Sequence, residues 1–526
     1  MAAVEQPRPD PSREPLHCDV LVVGGGINGA GIARDLAGRG WRVVLCERDD
    51  LAAHTSSAST KLIHGGLRYL EYGEFALVRK ALHEREQLLR SAPHIMWPLS
   101  FVMPHDAAMR PAWMIRAGLF LYDHLARRDW LPSSHGVDLR RHPAGVPLQP
   151  RLTRGFVYSD GWVDDARLVV LAAIDARERG ATVLTRCACT RAQRHAAGWH
   201  VTLQREGGAA IELQARALVN AAGPWAASFL RDVAVSAHGE RLATRQLRLV
   251  KGSHIVVPRL FDHAHAYLFQ NPDRRIVFAI PYERDFTLIG TTDVELHGDP
   301  GDAHASEAEI AYLCKQVSRY FARPVVPADV RWSYAGVRPL LDEADGDEAS
   351  AVTRDYRLEA HADGAPLLTV WGGKITTFRK LAEEAADSVG RLLGEERAAW
   401  TASAVLPGGD LPVWTGEPPG TPAEDFARFV KALGRRHAWL PLPLALRLAR
   451  AYGTRVADWL GKARCLDDLG LEIAPGLHEA ELAHLQRDEW AVTADDALWR
   501  RSKLGLHLDA RQRTGVSDWF AARTGA

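Results

Sequence analysis

The sequence predicts an α/β fold with an α+β middle region and a helical C-terminal domain, and three observations predict it. An apolar run, residues 18–23, leads directly into the glycine-rich stretch GGGINGAG. Short β-branched runs separated by Pro and Gly turns fill residues 242–341, a pattern typical of a largely antiparallel sheet. Beyond residue 406 the composition shifts to Ala, Leu, Arg and Glu with helical spacing.

These observations divide the chain into three parts. Residues 1–16 are polar and Pro-rich and are expected to be a disordered leader. Residues 17–400 are predicted to form a Rossmann-like nucleotide-binding domain with an interleaved antiparallel substrate-binding sheet, whose substrate part is mainly 242–341. Residues 401–526 are predicted to form the helical C-terminal domain.

The N-terminal unit is predicted to be a strand, a helix over residues 30–39 and a second strand over 41–47, which together make a βαβ unit. Gly24 permits the tight turn out of the first strand, Gly26 lets the backbone approach a pyrophosphate, and Gly29 lets the helix pack closely on the sheet. The helix N-terminus then offers free N–H groups to the phosphates. A glycine turn without a ligand is the alternative interpretation.

Three further features indicate which nucleotide the site binds. Glu47 ends the second predicted strand, where a carboxylate accepts hydrogen bonds from both ribose hydroxyls and disfavours a 2′-phosphate, so NADP is not expected. The segment ALVNAAGPW is a strand of small residues that ends in a turn at Gly223. The segment GGKITT, from Gly372, adds a second helix N-terminus whose dipole can stabilise negative charge on a reduced flavin ring. The sequence therefore favours FAD over NAD, and we expect it to be bound non-covalently.

The composition excludes several classes of partner and site. Acidic and basic side chains balance at 65 each, so no overall field recruits nucleic acid. The six cysteines are scattered, and Cys187 and Cys189 lack the spacing and the partner pair of a zinc site, so we expect no metal and reduced thiols. No apolar run approaches the ~18 residues that span a bilayer.

Ten motifs occur in order and carry a resemblance. They are GGGINGAGIARDLAGRG, TSSASTKLIHGGLRYLE, WVDDARLV, NAAGPW, KGSHIVVP, IGTTDVE, YAGVRPL, TRDY, WGGKITTFRKLAE and ADDALWRR. Together they resemble the aerobic, FAD-dependent sn-glycerol-3-phosphate dehydrogenases, within the D-amino-acid-oxidase-like flavoprotein superfamily. The resemblance runs from about residue 18 to the C-terminus.

The resemblance implies a reaction and a setting. The C2 hydroxyl of sn-glycerol 3-phosphate would be oxidised to give dihydroxyacetone phosphate, with a hydride passing to flavin N5 and the electrons going on to a ubiquinone-type membrane quinone. The protein would then lie in the cytoplasm as a peripheral protein on the cytoplasmic face of the inner membrane. A homodimer is a further expectation of this kind.

The matching motifs also imply site residues. Arg354 and Arg68 are expected to bind the phosphate, because the planar guanidinium pairs with it bidentately. Arg338 is expected nearer the reacting end, where it can stabilise a developing alkoxide. Lys374 could serve the phosphate or the flavin edge, and His254 is the candidate base because an imidazole titrates near neutral pH. Tyr69 and Thr377 are expected hydrogen-bonding neighbours in the same pocket.

Each assignment has an ordinary alternative. One histidine among 22 is commonly a surface or core residue, and Arg354 could form a structural ion pair with Asp355. His64 could orient a loop near the flavin. The residues expected to bind the cofactor are Gly24, Gly26, Ile27, Asn28, Gly29, Glu47, Thr55, Ser56, Ser57, Ser59, Lys61, Leu62, His64, Gly65, Ala222, Gly223, Trp225, Gly373, Lys374 and Thr376.

Residues 94–131 could place the protein at a membrane surface. They combine Trp97, Trp113 and Trp130 with apolar pairs and several arginines, a composition that suits an interfacial helix. An amphipathic core helix with a solvated basic face is the alternative.

Other functions remain open at this level. A glycerol-3-phosphate oxidase would share the reductive half of the reaction and use oxygen. An amino-acid or 2-hydroxy-acid oxidase would bind a carboxylate, for which one arginine suffices. A flavin-binding sensor would hold FAD without turnover.

Overall fold

The computed structural model describes residues 15–106, 110–273, 275–341 and 355–524. Arg354 and most of the predicted leader lie outside the described residues. Two large sheets and a helical C-terminal region make up the described part of the chain, so the predicted fold class is confirmed.

The first sheet carries the nucleotide-binding unit. Its central strand Leu16–Val23 pairs in parallel with Val43–Cys46 on one side and with Ala210–Asn220 on the other. These apolar strands are buried on both faces, as is typical of parallel sheets. The remaining strands of this sheet are Thr182–Leu184, Cys187–Arg194, Trp199–Arg205, Ala234–Val235, Arg357–His361 and Leu367–Trp371.

Three helices cover one face of the first sheet. They are Ile27–Gly38, Asp165–Glu178 and Phe378–Leu393, and their apolar residues share one core with the sheet. The predicted helix over 30–39 is thereby confirmed, beginning three residues earlier than expected. Because Ile27–Gly38 contacts both other helices, segments far apart in sequence meet beside the glycine turn.

The second sheet is antiparallel except where Ala266–Gln270 runs parallel to Met96–His105. It receives strands from the expected middle region and also from residues 62–163, which precede that region. Its ten strands are Leu62–Ile63, Met96–His105, His135–Asp138, Arg154–Val163, Leu247–Pro258, Ala266–Gln270, Ile276–Tyr282, Phe286–Gly290, Val294–Glu295 and Trp332–Leu341.

The segment 94–131 corrects one expectation. Met96–His105 is a mostly buried strand of the second sheet, so a helix forms only over Ala112–His124. Strand pairing along ten residues of Arg154–Val163 explains the difference, because no local signal announces that distant partner. Trp97 accordingly packs on Trp162 instead of facing a membrane.

The C-terminal region forms its own apolar core. A short hairpin, Glu472–Ala474 with Leu477–His478, lies among the helices. The α-helices of this region are Leu411–Thr415, Pro422–Arg436, Leu442–Tyr452, Val456–Leu460, Glu479–Asp488 and Ala510–Thr524. Elsewhere in the described part of the chain lie the helices Phe75–Ser91 and Glu307–Val317 and the short helix Ala226–Ser228.

Candidate active site

Two adjoining cavities open where the first sheet ends and the second sheet begins. The first has a volume of about 510 Å³ and the second about 340 Å³. Both are lined by Ile27, Thr55 and Ser56 and by the turn at Gly372 and Gly373, so they form one continuous site. The position matches the crevice at the carboxyl ends of the strands, where open α/β sheets bind ligands.

Glycines shape the first cavity because the backbone passes too close for side chains. A Cβ atom on Gly24 would lie 2.5 Å from the Ala221 carbonyl oxygen, and φ there is +110°. A Cβ atom on Gly29 would lie 1.8 Å from the Gly24 carbonyl oxygen. The fingerprint thus serves the close packing of strand, turn and helix that brings backbone groups to the cavity wall.

Glu47 holds this turn together. Its Oε2 atom accepts a hydrogen bond from the Gly25 amide at 2.6 Å, and its Oε1 atom accepts one from the Asp49 amide at 2.8 Å. Burial is the larger influence and raises the pKa of Glu47, while these two donors oppose the rise. The carboxylate lines the first cavity and keeps unused lone pairs, as a ribose contact requires.

The far end of the first cavity is less polar. Cys46, Cys187 and Cys189 line it, and burial raises the pKa of each thiol. Protonated thiols behave as small apolar groups, so this wall suits a flat aromatic ring.

A second glycine turn joins the two cavities. Gly372 and Gly373 both have positive φ, and the Gly372 carbonyl accepts a hydrogen bond from Asn28 Nδ2 at 3.1 Å. The helix Phe378–Leu393 follows after one short turn. Within the described residues Asn28 Oδ1 is buried without a hydrogen-bond partner. This acceptor and the exposed backbone fit an elongated dinucleotide such as FAD.

Basic side chains from three distant segments line the second cavity. Arg338 pairs with Asp293, and its Nη2 atom lies 3.4 Å from Thr291 Oγ1. The Lys374 ammonium lies 4.0 Å from the centre of the Tyr69 ring. Arg68 reaches the Tyr72 hydroxyl at 3.4 Å. The cavity therefore presents two guanidinium groups and an ammonium group, and Arg338 is partnered by a carboxylate.

His254 forms part of the wall and is only 2% exposed. Its Nε2 atom lies 2.9 Å from Thr60 Oγ1, and its ring stacks on Tyr334 at 4.8 Å. Burial, followed by the charges of Arg338 and Lys61, holds the pKa of His254 well below its usual range. The imidazole is therefore neutral at neutral pH, and within the described residues its buried Nδ1 atom has no hydrogen-bond partner.

Most of the predicted site residues meet in these cavities. Those on the wall of the first cavity are Gly24, Gly26, Ile27, Asn28, Glu47, Thr55, Ser56, Ala222, Gly223, Trp225 and Gly373. Those on the wall of the second are Ile27, Thr55, Ser56, Ser59, Leu62, His64, Arg68, Tyr69, His254, Arg338, Gly373, Lys374 and Thr376.

Some predicted residues lie elsewhere. Lys61 is buried in an ion pair with Asp165, at 2.7 Å between Nζ and Oδ1, so it supports the loop from behind. A Cβ atom on Gly65 would collide with Tyr122, which explains why glycine stands there. Gly29, Ser57 and Thr377 also lie off both cavity walls, and Arg354 is outside the described residues.

Other wall residues carried no prediction. Asp293 lies in the IGTTDVE motif, which could have drawn attention to it. Glu71, Asp160 and Asp355 add further carboxylates to the wall. Some of the other wall residues lie on sheet strands and look like ordinary core positions. They are Met103, Tyr158, Leu268, Gln270, Ile276 and Phe278.

Comparison with known proteins adds three findings. The family model described as FAD dependent oxidoreductase matches residues 19–379. A glycerol-3-phosphate dehydrogenase from Pseudomonas aeruginosa is 52% identical, covering 95% of this chain and 94% of the relative. A D-erythritol 1-phosphate dehydrogenase from Brucella abortus is 49% identical, covering 96% and 98%.

A solved structure agrees with the architecture. The crystal structure of a glycerol-3-phosphate dehydrogenase from Bacillus halodurans, complexed with FAD, superposes with a TM-score of 0.75 at 27% identity. The match covers 96% of this chain and 90% of that one.

Proposed function

The chain belongs to the family of FAD-dependent oxidoreductases, and from that premise we propose that it oxidises the C2 hydroxyl of sn-glycerol 3-phosphate to a ketone and delivers the electrons to a membrane quinone. The observation that carries the substrate is the convergence of Arg68, Arg338 and Lys374 on one cavity beside the FAD site. A small phosphate dianion needs more than one cation, whereas a carboxylate substrate needs one.

The bound cofactor supplies the oxidising equivalent. When FAD is present, the C2–H bond breaks with its electron pair passing to flavin N5, the hydroxyl proton leaves, and dihydroxyacetone phosphate forms. The first cavity holds the dinucleotide through the backbone at Gly24 and Gly26 and through Glu47. No covalent link is proposed.

The chain's own residues divide the remaining work. Arg68 and Lys374 bind the phosphate, and the sequence predicts the same role for Arg354. Arg338 donates to the oxygen on C2 as negative charge develops there. His254 takes the hydroxyl proton, because burial keeps its imidazole unprotonated at neutral pH.

The quinone assignment is supported by an exposed apolar helix. On Ala112–His124, Trp113 is 70% exposed and Phe120 is 57% exposed, whereas Leu119 and Tyr122 face the core. Among the described residues no helix is long and apolar enough to cross a membrane. We infer that this helix lies in the interface of a bilayer, with exposed Arg110 and Arg127 at its rim.

The helix stands beside the entrance of the second cavity. It contacts the turn Leu67–Tyr72, and four residues of that turn line the cavity. Exposed Tyr72 and Phe75 extend the apolar surface towards it. A quinone dissolved in the bilayer would therefore arrive close to the site. Attachment to the cytoplasmic face of the inner membrane and a homodimer stay predictions.

Anaerobic titration of the FAD-loaded protein tests the substrate. Glycerol 3-phosphate should bleach the flavin absorbance, while glycerol and lactate at equal concentration should leave it unchanged. Bleaching by glycerol as readily as by its phosphate would contradict the phosphate site. No bleaching by any polyol phosphate would favour a flavin-binding sensor without turnover.

A second substrate is favoured by one finding. The relative named for D-erythritol 1-phosphate is nearly as similar to this chain as the one named for glycerol 3-phosphate. Stopped-flow rates of flavin reduction by the two compounds, side by side, identify the better substrate.

The acceptor needs its own measurement. With glycerol 3-phosphate present, a ubiquinone analogue should be reduced in liposomes, and hydrogen peroxide should stay far below stoichiometric. Stoichiometric peroxide without quinone reduction would establish the oxidase instead. Trp113→Ser combined with Phe120→Ser should lower liposome flotation and quinone reduction while leaving anaerobic bleaching intact.

A further inference from the structure

Asp293 places a carboxylate in the second cavity, and the proposed reaction gives it no role. Its Oδ1 atom accepts a hydrogen bond from Arg338 Nη1. Both side chains remain partly open to the cavity, with Asp293 29% and Arg338 32% exposed. A carboxylate beside a phosphate-binding site calls for explanation, because it repels the dianion that the site must attract.

A buried scaffold fixes the position of Asp293. The preceding residue, Thr292, donates from Oγ1 to Glu309 at 2.8 Å and accepts the Ser253 amide at 2.9 Å. Lys251 pairs with Glu309, also at 2.8 Å. Despite burial, hydrogen bonds from Lys251 and Ser306 hold the pKa of Glu309 at about 2, so the anchor stays ionised. The segment bearing Asp293 is therefore held from behind by an ionic network.

The guanidinium of Arg338 is fixed from the opposite side. A Cβ atom on Gly252 would lie 2.6 Å from Arg338 Nη2 and 2.7 Å from Thr291 Oγ1. Glycine at this position leaves room for the guanidinium against the strand, where it pairs with Asp293. The pair is thus a built feature of the cavity wall, with a donor and an acceptor side by side.

The pairing divides the cavity electrostatically. Arg338 already pairs with Asp293, so we assign it to the reacting alcohol and the phosphate to the part of the wall formed by Lys374 and Arg68. At the Arg338 end the wall offers a cationic donor and an anionic acceptor together. That combination matches an alcohol, whose oxygen accepts from Arg338 while a neighbouring hydroxyl donates to Asp293.

We propose that Asp293 is a specificity-determining residue, which accepts a hydrogen bond from the hydroxyl group flanking the reacting carbon on the side away from the phosphate. This inference rests on the proposed function and sharpens its substrate class to polyol phosphates. A phosphorylated alcohol with a methyl group at that position would shield the carboxylate from water without donating a hydrogen bond to it.

The matching substrate pair is glycerol 3-phosphate and the same enantiomer of propane-1,2-diol 1-phosphate, which carries methyl in place of hydroxymethyl. For the FAD-loaded protein, kcat/KM should favour glycerol 3-phosphate roughly 10- to 100-fold, the effect of one hydrogen bond to a charged group. Equal values for both compounds would overturn the inference and leave the proposed function standing. Failure of both to reduce the flavin would sink the proposed function itself.

Variants separate recognition from positioning. Asp293→Ala should bring the two kcat/KM values close together, and the isosteric Asp293→Asn should give an intermediate ratio because its amide oxygen still accepts. If Asp293 only orients Arg338, both substrates should slow equally and the ratio should stay at its wild-type value, which would contradict the inference. Glu295→Gln is the matched control, since Glu295 pairs with Arg248 outside the cavity and its loss should leave the ratio unchanged.

Product binding gives a readout that needs no turnover. Calorimetric titration of the wild-type holoenzyme with dihydroxyacetone phosphate and with acetol phosphate, which lacks the terminal hydroxyl, should show tighter binding of the former by roughly 10-fold or more. Asp293→Asn should reduce that preference. Equal affinities in the wild type would refute the role of Asp293, whatever the variants do.

Discussion

The first and second cavities share Ile27, Thr55 and Ser56, yet their walls are built differently. Closely packed glycine turns and strand ends form one part of the first wall, next to side chains such as Glu47 and Trp225. Side chains from two helical turns and several strands of the second sheet shape the second. A wall of backbone tolerates almost no added atom, whereas a wall of side chains can lose a group and keep its shape.

The largest effect is expected at the first cavity. Gly29→Val places a side chain where even a Cβ atom would lie 1.8 Å from the Gly24 carbonyl oxygen, so helix and turn must separate. We expect FAD affinity to fall more than ~100-fold, the scale of a disrupted phosphate turn. Fluorescence titration of the apoprotein with FAD measures it. Gly434→Ala is the control, because no atom lies within 4 Å of its added Cβ and FAD affinity should not change.

In the second cavity, Arg338→Ala should change kcat/KM and not FAD affinity. Loss of the donor to the reacting oxygen should lower kcat/KM for glycerol 3-phosphate roughly 100- to 1000-fold. FAD affinity should stay at the wild-type value, because Arg338 does not line the first cavity. Steady-state kinetics and FAD titration on one preparation make the comparison. A variant that loses FAD in parallel with activity would show that the two walls are not independent.

The contributions of His254, in the second cavity, and of Glu47, in the first, to the free energy of unfolding should depend on pH with opposite signs. The pKa of His254 is lowered in the folded state, so its contribution to stability is present above about pH 6.5 and is lost as the pH falls towards the folded pKa. The pKa of Glu47 is raised, so its contribution is present below about pH 4.5 and is lost as the pH rises through the folded pKa.

Urea unfolding of the apoprotein between pH 4 and pH 8 tests both signs. His254→Asn should flatten the acid limb by up to ~1.4 kcal/mol per pH unit, and Glu47→Gln should raise stability at neutral pH relative to pH 4. The assignment would be refuted if both variants changed the pH dependence of the free energy of unfolding in the same direction.

The smallest effect belongs to a residue common to both cavities. Thr55 Oγ1 donates to the Val337 carbonyl at 2.9 Å and so ties the first cavity's loop to the second sheet. Thr55→Val removes that hydrogen bond and leaves a carbonyl oxygen without this donor. We expect the free energy of unfolding to fall by about 1 kcal/mol, with modest and equal losses in FAD affinity and turnover. Differential scanning calorimetry measures the first and parallel assays the others.

The same contrast explains what could be predicted from the sequence. Gly24, Gly26 and Gly29 act within one turn and one helix, so their spacing, together with the strand before and the helix after them, predicted a dinucleotide site. Glu47 was predicted to contact the ribose because it stands at the end of the second predicted strand. The side chains that form the wall of the second cavity come from distant segments, and strand pairing over long sequence separations brings them together. Lys61 sits in a motif next to true wall residues, yet it turns inward because Asp165, 104 positions away, lies beneath it.

Two other errors have the same cause. The sequence analysis included the strand Met96–His105 in one amphipathic helical segment with the residues that follow. Its pairing partner, Arg154–Val163, is distant in sequence, so no local pattern indicates the strand. Asp293 lay inside a recognised motif and received no role, because its partner Arg338 is 45 positions away. Resemblance supplied the second cavity's cations, and only the folded chain showed that Arg338 pairs with Asp293.

The hydrogen bond from Asn28 to the Gly372 carbonyl spans 344 positions of the chain. During synthesis the N-terminal strand, turn and helix emerge first, but the turn that completes their binding site is made only after the whole second sheet. Contacts of such sequence separation form late in folding, since the closure of long loops must come first. FAD is therefore expected to join the chain after translation of its first two-thirds, as a final ligand that locks the assembled sheets and not as a template for the opening βαβ unit.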